Sequence, residues 1–482
     1  MRFGGKREGA LQKMKSNSLE EKRMEGRWRV AFVLILTACV FCQSVYSFDT
    51  DSVVQFNLKN GVPVYLNSIE ENRIDVVYIV VKGGIQYVTK ETSGLEDAVF
   101  SLLQRGSEKY SYADLQKFQY DFQSSFTSSA MRDGSVFGMT SLSHYFDETF
   151  DRFIDAFLHP LFSQKEYALL MAQYGQSIQS LLNNPSAMLF YYAQKSIYSG
   201  HPFEVSSSVT PDSLKNITLE AIKAHYTNMM DAQRICVVAC GSFERASLEK
   251  KLNSTLGKIP AQRDENFSKG KKSVPKLKIE GENEIFVHEA SSGTGFVMRA
   301  FASPEVSSAD YPIAQIVCDI YSDILFNVVR ENYGACYTPE SSVLSSEAPF
   351  GFEYLYRTSD LVNFARYVEE ARGIMAKGKV ISGRDSRGDY VFEDLDDRLE
   401  GYINSYINRK YASDATTSGR ASRMCAGLLQ GDDISFSDRI TEQAKRTTSK
   451  DVLRVFNLYW ISESSRWFAV VSPEDEKIIN LP

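Results

Sequence analysis

The chain has 482 residues, 43% hydrophobic, 24% charged and 12% aromatic. That is an ordinary globular composition, with length for two or three domains. A formal charge of −7 excludes the basic balance of a nucleic-acid binder.

Residues 1–47 carry nine basic and four acidic side chains, and an apolar run, Val30 to Cys42, follows the charged stretch. The run is short for a membrane span and suits the core of a signal peptide. Cleavage after Val45-Tyr46-Ser47, acylation of Cys39 in Leu36-Thr37-Ala38-Cys39, and an uncleaved anchor are the three readings. Removing residues 1–47 moves the formal charge from −7 to −12, which suits a protein exported to a bacterial periplasm or envelope.

Residues 48–257 read as a first domain. Strands are expected at Val53–Leu58 and Val62–Leu66 around a Lys59-Asn60-Gly61 turn, then at Ile74–Val81. Helices follow at Ser93–Gln104 and Tyr112–Phe122, strands at Ser125–Met131 and Ser135–Leu142. Four more helices fit Phe146–Phe157, Gln164–Leu182, Ala187–Tyr198 and Leu219–Met229. Strand Ile235–Cys240 and helix Glu244–Leu256 close the half. Cys236 and Cys240, spaced i, i+4 on that strand, read as buried thiols rather than a disulfide.

Residues 258–281, rich in Lys, Glu, Pro, Gly and Ser, read as a linker. Residues 282–482 repeat the order: strand Gly295–Phe301, a long helix Ser308–Glu331, strands Ala335–Val343 and Gly351–Tyr356, helices through much of Leu361 to Phe456, and a last strand Trp467–Val471. The expected class is α+β, with two homologous domains, each a mainly antiparallel sheet covered by helices.

Gly94–Ser107 (GLEDAVFSLLQRGS) holds the most telling pattern. Leu95, Ala98, Val99, Leu102 and Leu103 form one apolar helix face. Asp97, Ser101 and Gln104 lie opposite, with Phe100 at the edge. The Asn-Gly hairpin, the Gly83-Gly84 strand end, Ser93-Gly94-Leu95 and the Arg105-Gly106-Ser107 exit together resemble the insulinase/pitrilysin family of metallopeptidases, in the processing-peptidase-like form.

That family carries the inverted zinc signature H-x-x-E-H on this helix. In the register fixed by Gly94 and Arg105-Gly106, the resemblance puts the two His positions at Asp97 and Ser101 and the Glu position at Phe100. The third ligand, a Glu some 75 residues on, falls at Ser177 or its neighbour Gln176, ahead of Asn184-Pro185. Catalytic zinc needs three protein ligands and a general base. None of the five histidines forms H-x-x-E-H or H-E-x-x-H, and His201 reads as a loop-structural residue.

In the second half, Val329 to Tyr337 (VRENYGACY) resembles the family segment whose Arg and Tyr, seven positions apart, reach toward a zinc domain. The matching residues are Arg330, in a last helical turn before the Gly334 stop, and Tyr337, at the start of the next strand. The resemblance implies half of a clam-like peptidase. It implies a chain with no catalytic residues or metal of its own, inactive alone. Its partner would be a homologous subunit bearing the zinc motif, and its substrate a peptide or unfolded polypeptide. Arg330 and Tyr337 would complete the partner's site. The alternative is an inactive peptide-binding or scaffold protein of the envelope.

Overall fold

A computed structural model describes residues 48–69, 72–261 and 274–482; the signal readings, Cys39 among them, lie outside the described residues. Asp49–Pro482 forms one compact unit.

Among the described residues the first half has six strands: β1 (Val54–Asn57), β2 (Pro63–Ser68), β3 (Ile74–Lys82), β4 (Ser125–Ala130), β5 (Gly134–Leu142) and β6 (Ile235–Gly241). They run in the order β1-β2-β6-β3-β5-β4, antiparallel throughout except for β2 and β6. Its helices are α1 (Leu95–Leu103), α2 (Tyr112–Asp121), α3 (Phe146–Leu158), α4 (Gln164–Leu182), α5 (Pro185–Ile197), α6 (Leu219–Met229) and α7 (Arg245–Ser254). Local chemistry sets their starts. Ser111 and Asp114 make a capping box on α2, and Asn184 caps α5 with Pro185 in its first turn.

The second half contains β7 (Glu284–Val287), β8 (Gly295–Ala302), β9 (Thr338–Val343) and β10 (Phe350–Thr358), a separate hairpin of β11 (Lys379–Arg384) and β12 (Tyr390–Asp394), and β13 (Ser465–Val471). The main sheet runs β7-β13-β8-β10-β9, with β7 and β13 parallel and the other pairs antiparallel. From β2 onward the first sheet has the same sequence of pairings, so the duplication read from the chain is a duplication of topology. The helices are α8 (Asp310–Leu325), α9 (Phe364–Ala376), α10 (Leu395–Asp414), α11 (Thr417–Gln430), α12 (Phe436–Lys445) and α13 (Ser449–Tyr459). Helix α8 and its extension to Asn332 are apolar and long enough to cross a membrane, yet most of that stretch is buried inside the protein, in one core with residues of β8, β9 and α13.

Two strand regions escape the periodicity. β7 has three half-buried residues and an exposed Val287, and becomes a strand through parallel pairing with β13. The β11–β12 hairpin lies in a stretch expected to be mostly helical; its alternating residues pair across an Asp385–Gly388 turn.

The halves also exchange cover. Helix α5 of the first half packs on β8 and β13, and α11 of the second packs on the equivalent strands β3 and β6. Leu189, Ala193 and Ile197 of α5 share one core with Phe296, Met298, Phe468 and Val470. The cause is in the strands. β6 (ICVVACG) is buried along its whole length, so both its faces need cover. Cys236 and Cys240 are buried free thiols on it. Ile259 and Ile279, near the two ends of the linker, are both buried, Ile259 in the core of the first half and Ile279 in the core that α5 shares with β8 and β13.

Candidate functional site

Helix α1 begins at Gly94 for a steric reason. Its φ is +79°, and a Cβ there would sit 2.1 Å from the backbone nitrogen of Val209. The Gly94 amide donates to Ser206 O at 3.1 Å, and Ser213 Oγ donates to Ser93 O at 2.8 Å, so the 206–213 loop fixes where the helix starts. The apolar face is buried as the spacing predicts. Phe100 is a correction. It is fully buried in the core with Leu102 and Leu103, rather than at the edge of the polar face, because an aromatic ring at the rim of the stripe turns inward.

Asp97 and Ser101 stand one turn apart on the half-exposed face. The α4 side chain that meets them is Tyr174: its hydroxyl donates to Asp97 Oδ2 at 2.8 Å and lies 3.3 Å from Ser101 Oγ. Ser177 and Gln176 are exposed, three and two residues further along α4. The sequence signal for Tyr174 was its i, i+3 relation to Ser177, on the same side of the helix. Burial raises the Asp97 carboxyl above its ordinary 3.8, with the Tyr174 hydrogen bond pulling the other way. Burial and then the Asp97 charge push the Tyr174 hydroxyl upward, so it stays a donor.

This donor set does not fit zinc. It offers one carboxylate, one serine hydroxyl and a protonated phenol, where three deprotonated or imidazole ligands are required. Among the described residues no group of three His, Cys, Asp or Glu is placed to hold a metal. Tyr174→Phe removes the proton donated to Asp97 and is expected to cost about 1–3 kcal/mol, read by urea denaturation. Asp97→Asn keeps an acceptor and removes the charge. Because the folded carboxyl titrates above 3.8, its burden is present at neutral pH and vanishes as pH falls below 3.8. Asp97→Asn is therefore expected to melt higher than wild type at pH 7 and equally at pH 3.

Behind α1 lies a buried polar cluster with no signature in the sequence. Glu96 accepts from Ser135 Oγ at 2.5 Å, and its other oxygen is 3.1 Å from His225 Nε2 and 3.7 Å from Arg234 Nη2. The Arg234 guanidinium lies 3.8 Å over the Tyr87 ring. On the open side, Gln104 Nε2 donates to Ser128 Oγ of the edge strand β4 at 2.6 Å. A polar recess of about 370 Å³, lined by Ser101, Gln104, Arg105, Tyr112, Gln116 and Gln119, opens there. His201 is structural: Nδ1 accepts from the Phe203 amide and Nε2 meets Pro275 O, each at 3.0 Å.

In the second half the helix does not stop as an α-helix. From Phe326 to Asn332 it widens into a π-helix, with Tyr333 N bonded to Val328 O, five residues back. Such widenings re-aim side chains and gather at functional sites. Gly334 then turns the chain at φ +58°. The extra residue per turn aims Arg330 at the segment that follows. Its guanidinium lies 4.7 Å from the Phe326 ring and 5.0 Å from the Tyr337 ring, and Nη1 donates to Tyr337 O at 3.0 Å. Tyr337 is 64% exposed, and among the described residues its hydroxyl has no hydrogen-bond partner. The two residues read from the sequence are thus one unit, and Phe326 is the member the sequence did not reveal.

Residues 64–209 match the model of insulinase (peptidase family M16), and residues 216–377 that of the peptidase M16 inactive domain. The chain belongs to the insulinase family, M16. Within that family it lacks H-x-x-E-H and is a non-catalytic homologue. No curated protein matches the sequence. Among solved structures, the M16 chain resembles a peptidase M16 inactive domain from Pseudomonas fluorescens, at 16% identity and a TM-score of 0.70 over 87% of this chain and 98% of that one. It also resembles a protease from Helicobacter pylori, at 14% identity and a TM-score of 0.71 over 87% and 99%. A third is the periplasmic protease PqqL from Escherichia coli, at 13% identity and a TM-score of 0.67; the match covers 88% of this chain and 46% of PqqL, under half that protein's length. These likenesses establish a shared M16 fold.

Proposed function

We propose that this chain is the non-catalytic, substrate-contacting subunit of a heterodimeric M16 zinc peptidase, exported to the bacterial envelope. A homologous chain with an intact zinc motif supplies the metal, the water and the base. This chain supplies Arg330 and Tyr337 to the partner's site, where they grip a peptide or unfolded segment. The observation that carries the reading is the contrast between its two candidate sites. The zinc-motif positions are filled by Asp97, Phe100 and Ser101 with Tyr174 bonded across them, whereas Arg330 presents Tyr337 with an exposed, unengaged hydroxyl. A preorganised donor is what a developing oxyanion needs. The likeness to a periplasmic protease supports export.

A second reading, a peptide-binding scaffold without a role in hydrolysis, is favoured by Arg330 spending its hydrogen bond on its own turn. The two separate in a cleavage assay with this chain alone, the zinc-bearing homologue alone, and the mixture. Hydrolysis that requires both chains is the expected result. Full activity of the homologue by itself would sink the subunit reading.

A further inference from the structure

The geometry points to a metal site closed by a tyrosine: we infer that Tyr174 stands at the third-ligand position and that its hydroxyl occupies the place of the ion. Three observations on two helices carry this. Asp97 and Ser101 are one turn apart on α1, the spacing at which two side chains converge on one point. The Tyr174 hydroxyl sits at that point, 2.8 Å from one and 3.3 Å from the other. Finally, α4 packs against α1 in the register that aims residue 174 there and leaves residues 176 and 177 exposed.

Tyrosine reaches further from its backbone than glutamate. A glutamate at 174 would stop short and leave space between itself and α1; the phenol fills that space. Ligands to zinc lie about 2.0–2.2 Å from the ion, so an oxygen already within reach of both Asp97 and Ser101 excludes one. The bonds that replace the ion also tie α1 to α4, which holds the helix pair together without metal. The loss of the zinc motif is therefore compensated in the packing, and restoring the α1 residues alone will not restore metal binding.

The test compares D97H/S101H with D97H/S101H/Y174E and D97H/S101H/S177E in the purified chain without any partner, so its outcome is separate from that of the cleavage assay. Buried Phe100 is left alone, since a glutamate there would threaten folding and is not needed as a ligand. The readouts are zinc content after dialysis and zinc affinity by chelator competition, with circular dichroism to follow the fold. The Y174E triple variant is expected to retain one zinc with a Kd at least about 100-fold lower than the double variant. Equal affinity with Tyr174 in place, binding conferred by S177E instead of Y174E, or no binding by folded variants would each overturn the assignment. Should the multiple variants not fold, Tyr174→Phe in the otherwise native chain reports on the same contact. Loss of the donated proton should move the Asp97 titration, followed by NMR, to higher pH. An unmoved titration would remove the hydroxyl from this position.

Discussion

Glu353→Ala is expected to destabilise the protein by about 3–5 kcal/mol, the loss typical when one member of a buried ionic network is removed and the others remain. Glu353, on β10, is 1% exposed at the centre of the second half. It accepts from Arg372 Nε at 2.9 Å and from the Tyr321 hydroxyl at 3.0 Å, with a second contact to Arg372 Nη2, and Arg299 Nη1 stands 3.4 Å away. Arg299 is further held by the carbonyls of Trp460 and Ser462 at 3.0 and 2.9 Å, so one carboxylate links β8, β10, α8, α9 and the approach to β13. Deleting it leaves two guanidinium groups buried beside each other, with Glu369, 3.0 Å from Arg372 Nη1, as the remaining carboxylate at the rim of the network.

The pH dependence follows from the same contacts. Burial by itself raises the Glu353 carboxyl. The charge and hydrogen bonds of Arg372, then Arg299 and Tyr321, outweigh it and hold the group below its ordinary 4.5. A depressed folded value means that this stabilisation is full above pH 4.5 and is lost as pH falls through the folded value. Wild type should therefore weaken on acidification through that window, while Glu353→Ala, already destabilised, should lose less. Denaturation midpoints in urea at pH 7 and pH 3 measure both effects. A neutral-pH difference under 1 kcal/mol would contradict the network's role.

In the reconstituted pair, Tyr337→Phe is expected to lower kcat by about 10²–10³-fold, the usual loss when one oxyanion donor is removed. The change takes away a single exposed oxygen, so the melting temperature should not move. Arg330→Ala should act more broadly. The guanidinium lies between the Phe326 and Tyr337 rings and holds the Tyr337 carbonyl, so its removal frees the segment that carries the hydroxyl. A raised KM together with a lowered kcat is expected, with partial recovery in Arg330→Lys, which keeps the charge but not the planar stack. If Tyr337→Phe leaves the pair's turnover unchanged, the scaffold reading is the better one.

The features decided locally are the ones the sequence displays. Helices Gln164–Leu182 and Leu219–Met229 have the bounds their periodicity implies, and the Asn60-Gly61 turn joins β1 to β2 as expected. Apolar spacing, caps and turn residues each act over a few positions, so one strand or helix at a time could be read. The loss of the zinc motif was legible for the same reason, since Asp97, Phe100 and Ser101 lie in one register on a single helix. The Arg330–Tyr337 pair was legible too, because seven residues and a glycine stop set its spacing.

Contacts between elements distant in the chain were decided by packing alone. A family spacing of some 75 residues lands on one turn of α4, where successive residues point about 100° apart. Sequence arithmetic pointed to Ser177 or Gln176, and the docking of α4 on α1 sets Tyr174 against Asp97 and Ser101. The exchange of α5 and α11 between the halves has the same character. The fully apolar β6 announces that both of its faces need cover, but not which helix supplies it. β7 is a strand only because β13 is beside it, and the π-turn at Phe326–Asn332 is invisible to a periodicity that fits an α-helix nearly as well. Sequence by itself thus determined the M16 architecture and the absence of H-x-x-E-H from α1. The tertiary structure decided that Tyr174 meets Asp97 and Ser101, and how Arg330 comes to hold the Tyr337 segment.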